Sequence, residues 1–199
     1  MLNVKKVIGK ILSSNSYVLF EDNQADCFLI DVGDADAILA VLPNKLAVKG
    51  IFLTHAHFDH IAGINKIVES FPNCLVYTSI YGTDALKDAR KNFSYYHENS
   101  IVYQGDNVVI LSEGDAVSLF KDVKLNVLAT PGHCPSCMTY FTNDYIFTGD
   151  SYIPGVEVVT KLPRGNKKDA EHSLEKILNL TEARTICAGH DVENWVSFF

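Results

Sequence analysis

Four side chains able to hold metal ions crowd into the short stretch Thr54-His55-Ala56-His57-Phe58-Asp59-His60: His55, His57, Asp59 and His60. Imidazole and carboxylate without thiolate suit zinc, iron or manganese. The apolar run Ile51-Phe52-Leu53 behind Gly50 predicts a short buried strand, so the histidines stand where strand gives way to loop. On an extended backbone, residues two apart face the same way, which lets His55 and His57 reach one ion together. Asp59 and His60 follow a turn and face elsewhere, toward a second ion. The chain has 7 histidines and three of them are here, a concentration that argues against a merely polar surface loop.

The pattern His-x-His-x-Asp-His after a short strand resembles the signature of the metallo-β-lactamase superfamily of hydrolases. Further landmarks of that family follow in order: Asp31 in Leu29-Ile30-Asp31-Val32-Gly33, His133 in Thr130-Pro131-Gly132-His133, Asp150 in Phe147-Thr148-Gly149-Asp150, and His190 in Ala188-Gly189-His190. The resemblance implies an α/β fold, a four-layer αββα sandwich of two packed mixed sheets with helices outside and the site at one edge. It implies that His55, His57 and His133 hold one divalent ion and that Asp59, His60 and His190 hold a second, with Asp150 bridging. Zinc is the first expectation for both, with iron or manganese as alternatives. Asp59 and Asp150 are then the catalytic carboxylates. A water shared by two cations ~4 Å apart is deprotonated near neutral pH, which gives a nucleophile without a protein base. One cation can also polarise the substrate carbonyl. The implied reaction is hydrolysis of an activated acyl group.

Asp150 narrows the branch. The β-lactamase branches typically lack a carboxylate bridge there, and its presence points towards thioesterases, lactonases, phosphoesterases or persulfide dioxygenases. Phe147-Thr148-Gly149-Asp150-Ser151 and Leu162-Pro163-Arg164-Gly165 look most like glyoxalase II (hydroxyacylglutathione hydrolase) and its short relatives. Two departures stand out. Nine residues follow His190, so the C-terminal helical domain that helps glyoxalase II hold glutathione is expected to be missing. The family's Thr-Pro-Gly-Ser after the third-motif histidine is here Cys134-Pro135-Ser136-Cys137. That Cys-x-x-Cys reads as a substitution packed beneath the ligand loop, the alternatives being extra soft ligands or a redox switch. Tyr152 and Lys161 are candidate substrate contacts. A dinuclear hydrolase of a small thioester or related ester is therefore the leading function. The rivals are a mononuclear iron enzyme of the persulfide dioxygenase type, a lactonase or phosphoesterase, and a non-catalytic binding module. The complete ligand set argues against the last.

The composition agrees. At 199 residues, the chain is expected to form one domain over residues 1–199, with 47% hydrophobic residues to build a core. A formal charge of -7 without a Lys/Arg cluster disfavours nucleic acid and leaves a small molecule as the partner. No apolar run approaches the ~20 residues that span a bilayer, so no membrane is expected, and no signal-peptide pattern opens the chain. Five cysteines, an odd number, suit reduced thiols in the cytoplasm.

The elements that must position these groups are legible in outline. Strands are predicted over residues 4–12, 17–20, 27–30, 51–53, 74–78, 108–111, 116–120, 123–128, 138–141, 145–147 and 185–187. Asp31 closes the third of them. It is either an anchor hydrogen-bonding a metal-site loop or a turn or cap aspartate. Asp34 or Asp36 can cap a helix carrying Ile38, Leu39, Val41 and Leu42 and ending before Pro43. Ile61, Ile64, Val68 and Phe71 predict a helix starting near Asp59, whose N-terminal N–H groups could meet an anionic substrate. A last helix follows Asn166, with Leu174, Ile177 and Leu178 on one face and His172 solvated. Between Ser79 and Asn107 the pattern loosens, and Tyr81, Phe93, Tyr95, Tyr96, His97 and Tyr103 are read as a substrate-facing wall or as a peripheral helix and loop packing its own aromatics. His97 has no ligand-like neighbour and is expected at the surface.

Overall fold

The chain opens as an antiparallel meander of β1 (Leu2–Ile8), β2 (Asn15–Glu21) and β3 (Asp26–Ile30). The structure is a computed structural model and describes residues 1–43 and 46–194. Helix α1 (Ala35–Val41) leads to β4 (Ala47–Phe52), and α2 (Phe58–Ile61) with α3 (Ile64–Ser70) leads to β5 (Leu75–Thr78). Helix α4 (Ile80–Leu86) and a 3₁₀ turn (Ser94–Tyr96) precede β6 (Val108–Ile110). These strands form a mixed sheet ordered β1-β2-β3-β4-β5-β6, parallel from β3 onwards. The second sheet holds β7 (Ala116–Phe120), β8 (Val123–Ala129), β9 (Met138–Phe141), β10 (Tyr145–Gly149) and β11 (Thr185–Ala188) in the order β11-β10-β9-β8-β7. It is antiparallel except where β10 meets β11, and helix α5 (Lys167–Thr181) makes that parallel crossover.

Alternation along the strands separates two apolar layers. Phe28, Ile30 and Phe52 point between the sheets, where they meet Met138, Tyr140 and Phe147. Phe52 stacks on Tyr77 at 4.4 Å and meets Tyr140 edge-on at 5.6 Å. Leu29, Ile51 and Val76 point the other way, onto Ile38, Ile64 and Ile67 of the covering helices. Each such fully buried side chain contributes roughly 1.5–3 kcal/mol, so residues of both parities in β3 and β4 hold layers together. The result is the expected αββα sandwich.

Three local expectations need correction, and one open reading is resolved. The first strand stops at Ile8 rather than Leu12, because Leu12 and Ser13 adopt left-handed φ of 51° and 52° in a turn closed by Gly9 N–H donating to Ser14 O. The helix near Asp59 is broken in two at Ala62-Gly63. There the Gly63 backbone abuts α1: an added Cβ would stand 2.7 Å from Ala35 N and 2.9 Å from Val32 O. Helix α5 buries Ala170, Ser173 and Ile177, while Leu178 is 43% exposed, so the apolar stripe is rotated from the expected one. Helix α4, capped by Ser79 accepting from Gly82 N–H, lay inside the stretch with no clear period. In α1 the cap is Asp34, which accepts from Ala37 N–H at 3.0 Å. The residues after Asn194, on which the expected lack of a further helical domain bears, lie outside those described.

The connections place chemistry at one end of the sandwich. The loops leaving β3, β4, β8, β10 and β11 at their C-terminal ends carry Asp31, His55 to His60, His133, Asp150 and His190. Backbone ties stitch these loops across the sheets: Met138 N–H to Thr54 O at 2.7 Å, Gly189 N–H to Gly149 O at 2.9 Å and Asn15 N–H to Gly189 O at 2.7 Å.

Candidate metal centre

Seven buried side chains from four loops converge there: His55, His57, Asp59, His60, His133, Asp150 and His190. In the first group, His57 Nδ1 lies 3.0 Å from His133 Nε2, and the His55 ring is 4.5 Å from that of His57. In the second, Asp59 Oδ2 is 3.4 Å from His60 Nε2 and 3.3 Å from His190 Nε2, and the two imidazole nitrogens are 3.3 Å apart. Asp150 stands between the groups. Its Oδ2 is 3.6 Å from both His133 Nε2 and His190 Nε2, and its Oδ1 is 3.5 Å from His60 Nε2.

Neighbouring groups fix which nitrogen faces inward. His60 Nδ1–H donates to Asp31 Oδ2 at 2.9 Å, His133 Nδ1–H to Val159 O at 2.8 Å and His190 Nδ1–H to Leu12 O at 3.1 Å. Thr54 Oγ1 donates to Asp31 Oδ2 at 2.6 Å and accepts from His55 Nδ1–H at 3.2 Å. Each of these four rings therefore turns an Nε2 lone pair into the cluster, the tautomer that outer-shell partners impose on ligating histidines. Asp31, with φ +55°, also accepts Thr54 N–H at 2.7 Å, and so acts as the anchor of the metal-site loop rather than as a helix cap.

The cluster is electrostatically unfinished without cations. Burial disfavours charge on His60, but the carboxylates of Asp59, Asp150 and Asp31 outweigh it and hold the ring well above its ordinary pKa. Burial likewise opposes the Asp59 carboxylate, yet His60 and His190 hold it well below the usual range. His55 is pushed well down by burial and by the other imidazoles. Among the described residues, His55 Nε2 and Asp150 Oδ1 are buried with no hydrogen-bond partner. An unsatisfied buried group typically costs about 1–3 kcal/mol. Both atoms face the cluster, so the donor set fits divalent ions as it stands. Ligand atoms gather within 4.8 Å of one another in three overlapping sets: His55, His57 and His133; His55, His60 and Asp150; Asp59, His60 and His190.

The other candidates divide. Tyr152 is half-buried, with its carbonyl accepting from Thr148 Oγ1 at 2.6 Å, and Lys161 is exposed. Cys134 and Cys137 lie beneath the His133 loop with their sulfurs 3.2 Å apart. At the start of the helix, where an anion seat is expected, Phe58 N–H donates to Asn92 O at 2.9 Å and His60 N–H to His57 O at 3.0 Å. His97 is exposed and stacks on Phe58 at 3.8 Å. Tyr103 packs into the core, whereas Phe93 sits 4.9 Å from the His57 ring. Phe93 has φ +65° and follows the fully buried Asn92, which hydrogen-bonds Ala85 O and Ile101 O. Nothing in the sequence singles out Phe93 from its neighbours, because the burial of Asn92 that sets its position is visible only in the fold.

Residues 9–190 match the model of the metallo-β-lactamase superfamily. The chain belongs to that superfamily. The crystal structure of the BLEG-1 B3 metallo-β-lactamase superposes with a TM-score of 0.86 at 27% identity, over 94% of this chain and 91% of that one. TTHA1623 in a di-iron-bound form gives 0.77 at 27% identity, again over 94% and 91%. ETHE1 from Myxococcus xanthus shares the fold, with a TM-score of 0.74 at 24% identity over 96% of this chain and 76% of that one. A cluster of histidine and aspartate suited to two metal ions is thus set in a superfamily composed mostly of metal-dependent hydrolases.

Proposed function

We propose that this protein is a dinuclear metal-dependent hydrolase of small thioesters or related esters, of the glyoxalase II-like kind. His55, His57 and His133 would hold one ion and Asp59, His60 and His190 the second, with Asp150 placed to serve both. The observation that carries the reading is the position of Asp150, whose carboxylate lies within 3.6 Å of His133 in one group and of His190 and His60 in the other. Zinc leads, and iron or manganese suits the same donors; TTHA1623 is di-iron-bound. When bound, such a pair lowers the pKa of water and polarises an acyl oxygen.

The chain's own residues prepare that chemistry. Asp31 and Thr54 orient His60 and His55, so that the donors need not reorganise when charge develops. Asp59 and Asp150, 5% and 7% exposed, supply two negative charges to balance the cations in a buried site. Phe93 and Tyr81 line the side of the site next to His57, with Lys91 and Arg164 on the same small cavity. Five cysteines without a disulfide suit a reducing compartment, and we place the protein in the cytoplasm, acting on a small molecule rather than on nucleic acid or membrane. Similarity to BLEG-1 supports β-lactam amide hydrolysis as the second reading. Specificity constants of the metal-loaded protein on short acyl thioesters, S-lactoylglutathione and a β-lactam decide between them. The reading expects the highest value on a thioester; turnover of the β-lactam alone would replace it.

A further inference from the structure

The thiol pair under the His133 loop is not used by the reaction just described. Cys134 and Cys137 are 5% and 3% exposed, and their sulfurs stand 3.2 Å apart across a turn in which Cys137 N–H donates to Cys134 O. A disulfide has its sulfurs ~2.05 Å apart, so closure needs an approach of only ~1.2 Å within a turn already formed. The other three cysteines belong to apolar layers: Cys27 and Cys74 under the helices and Cys187 between the sheets. Burial pushes each of these thiols up to about 12. Cys137 borders a groove of about 380 Å³ that also reaches Tyr81, Pro135 and Arg164, which brings a small molecule to the turn.

The same turn is fastened to the metal-site loop on both sides of His55. Met138 N–H donates to Thr54 O at 2.7 Å, and Ala56 N–H donates to Ser136 Oγ at 3.3 Å. Cys134 Sγ lies 3.1 Å from the same Ser136 Oγ, and Cys134 borders one small cavity with His57, close enough for the two groups to interact. We propose that Cys134 and Cys137 are an oxidisable dithiol which a small-molecule disulfide converts to an intrachain disulfide, and that closure loosens the hold on His57. The second half rests on the assignment of His57 as a ligand. One sulfur of the pair, as the thiolate, attacks one sulfur of the small disulfide and expels one thiolate. The other cysteine then attacks the protein sulfur of that mixed disulfide and expels the second. The protein loses two electrons and two protons, and both protons end on the released thiols. The new bond draws the Cys134 sulfur towards Cys137 and away from the His57 imidazole.

The test exposes metal-loaded protein to oxidised glutathione, followed by denaturing thiol titration, peptide mapping and metal release to a chelator. Of the 5 thiols, two disappear into a Cys134–Cys137 crosslink, and a dithiol reductant restores them. Metal release accelerates by about tenfold or more, the scale on which supporting contacts act. Cys137→Ser leaves Cys134 beside His57, forms no crosslink and shows no acceleration. Five surviving thiols, or a crosslink through Cys27, Cys74 or Cys187, would overturn the site. A Cys134–Cys137 crosslink with unchanged metal release would overturn the coupling to His57. A chain that holds no metal before oxidation would overturn that coupling and the ligand assignment together, while the crosslink still decides the dithiol.

Discussion

His60 is the side chain on which the site's charges meet. Its Nδ1–H donates to Asp31, while Asp59 Oδ2 and Asp150 Oδ1 lie 3.4 and 3.5 Å from Nε2. Three carboxylates therefore hold a proton on the ring against its burial when no cation is present. A cation must displace that proton, so uptake of the second ion releases it. Because the ring's pKa is raised, the proton competes at pH values above the ordinary histidine range, and apparent affinity falls as pH falls through that raised value. Competition titrations in buffers of different ionisation enthalpy measure the released proton; an affinity independent of pH would contradict the assignment of His60. Asp31→Ala removes the partner of both His60 and Thr54, and affinity is expected to drop about 10–100-fold with the ligands themselves intact. Asp150→Ala should lower the content from two ions to one and abolish most turnover, read by elemental analysis and assay.

At the scale of elements, the site depends on strand ends being held close together. Gly189 follows β11, and a Cβ there would lie 2.1 Å from Asp150 Oδ1 and 3.0 Å from His60 Cε1. Gly189→Ala should therefore displace the bridging carboxylate, lower stability by about 1–3 kcal/mol and weaken metal binding. Thermal unfolding with and without metal reads both effects. Unchanged metal content with unchanged stability would show that the loop has room not seen in the structure. Most strands were legible because their parity is strict: Phe28, Ile30 and Phe52 against Leu29 and Ile51 reads as two buried faces in any register. Helix α4 was legible only as one of two readings without bounds, since Gly82 and Thr83 interrupt its apolar pattern, and it is held by the Ser79 cap and by packing of Ala85 and Leu86. The break at Gly63 was equally hidden, because it comes from contact with α1, 28 residues earlier at Ala35. The His-rich loop was legible as ligands because the spacing alone limits what the side chains can reach. The Nδ1 partners of His133 and His190 are backbone carbonyls of Val159 and Leu12, which carry no side-chain signature.

For the whole molecule, the two sheets matter because neither carries a complete site. The sheet ending in β6 supplies Asp31 and the stretch His55 to His60, and the other supplies His133, Asp150 and His190. Metal binding should therefore clamp the sandwich, and removal of the ions by a chelator should lower the unfolding temperature in proportion to ion occupancy. The claim underlying all of this is two ions and hydrolysis, rather than one iron and oxygen chemistry. It is tested most directly by measuring metal per chain on protein purified without chelator, then assaying that protein on a short acyl thioester without oxygen and on a persulfide with an oxygen electrode. Two ions per chain and thioester hydrolysis without oxygen are the predicted result. One iron per chain, oxygen uptake with the persulfide and no thioester turnover would contradict it.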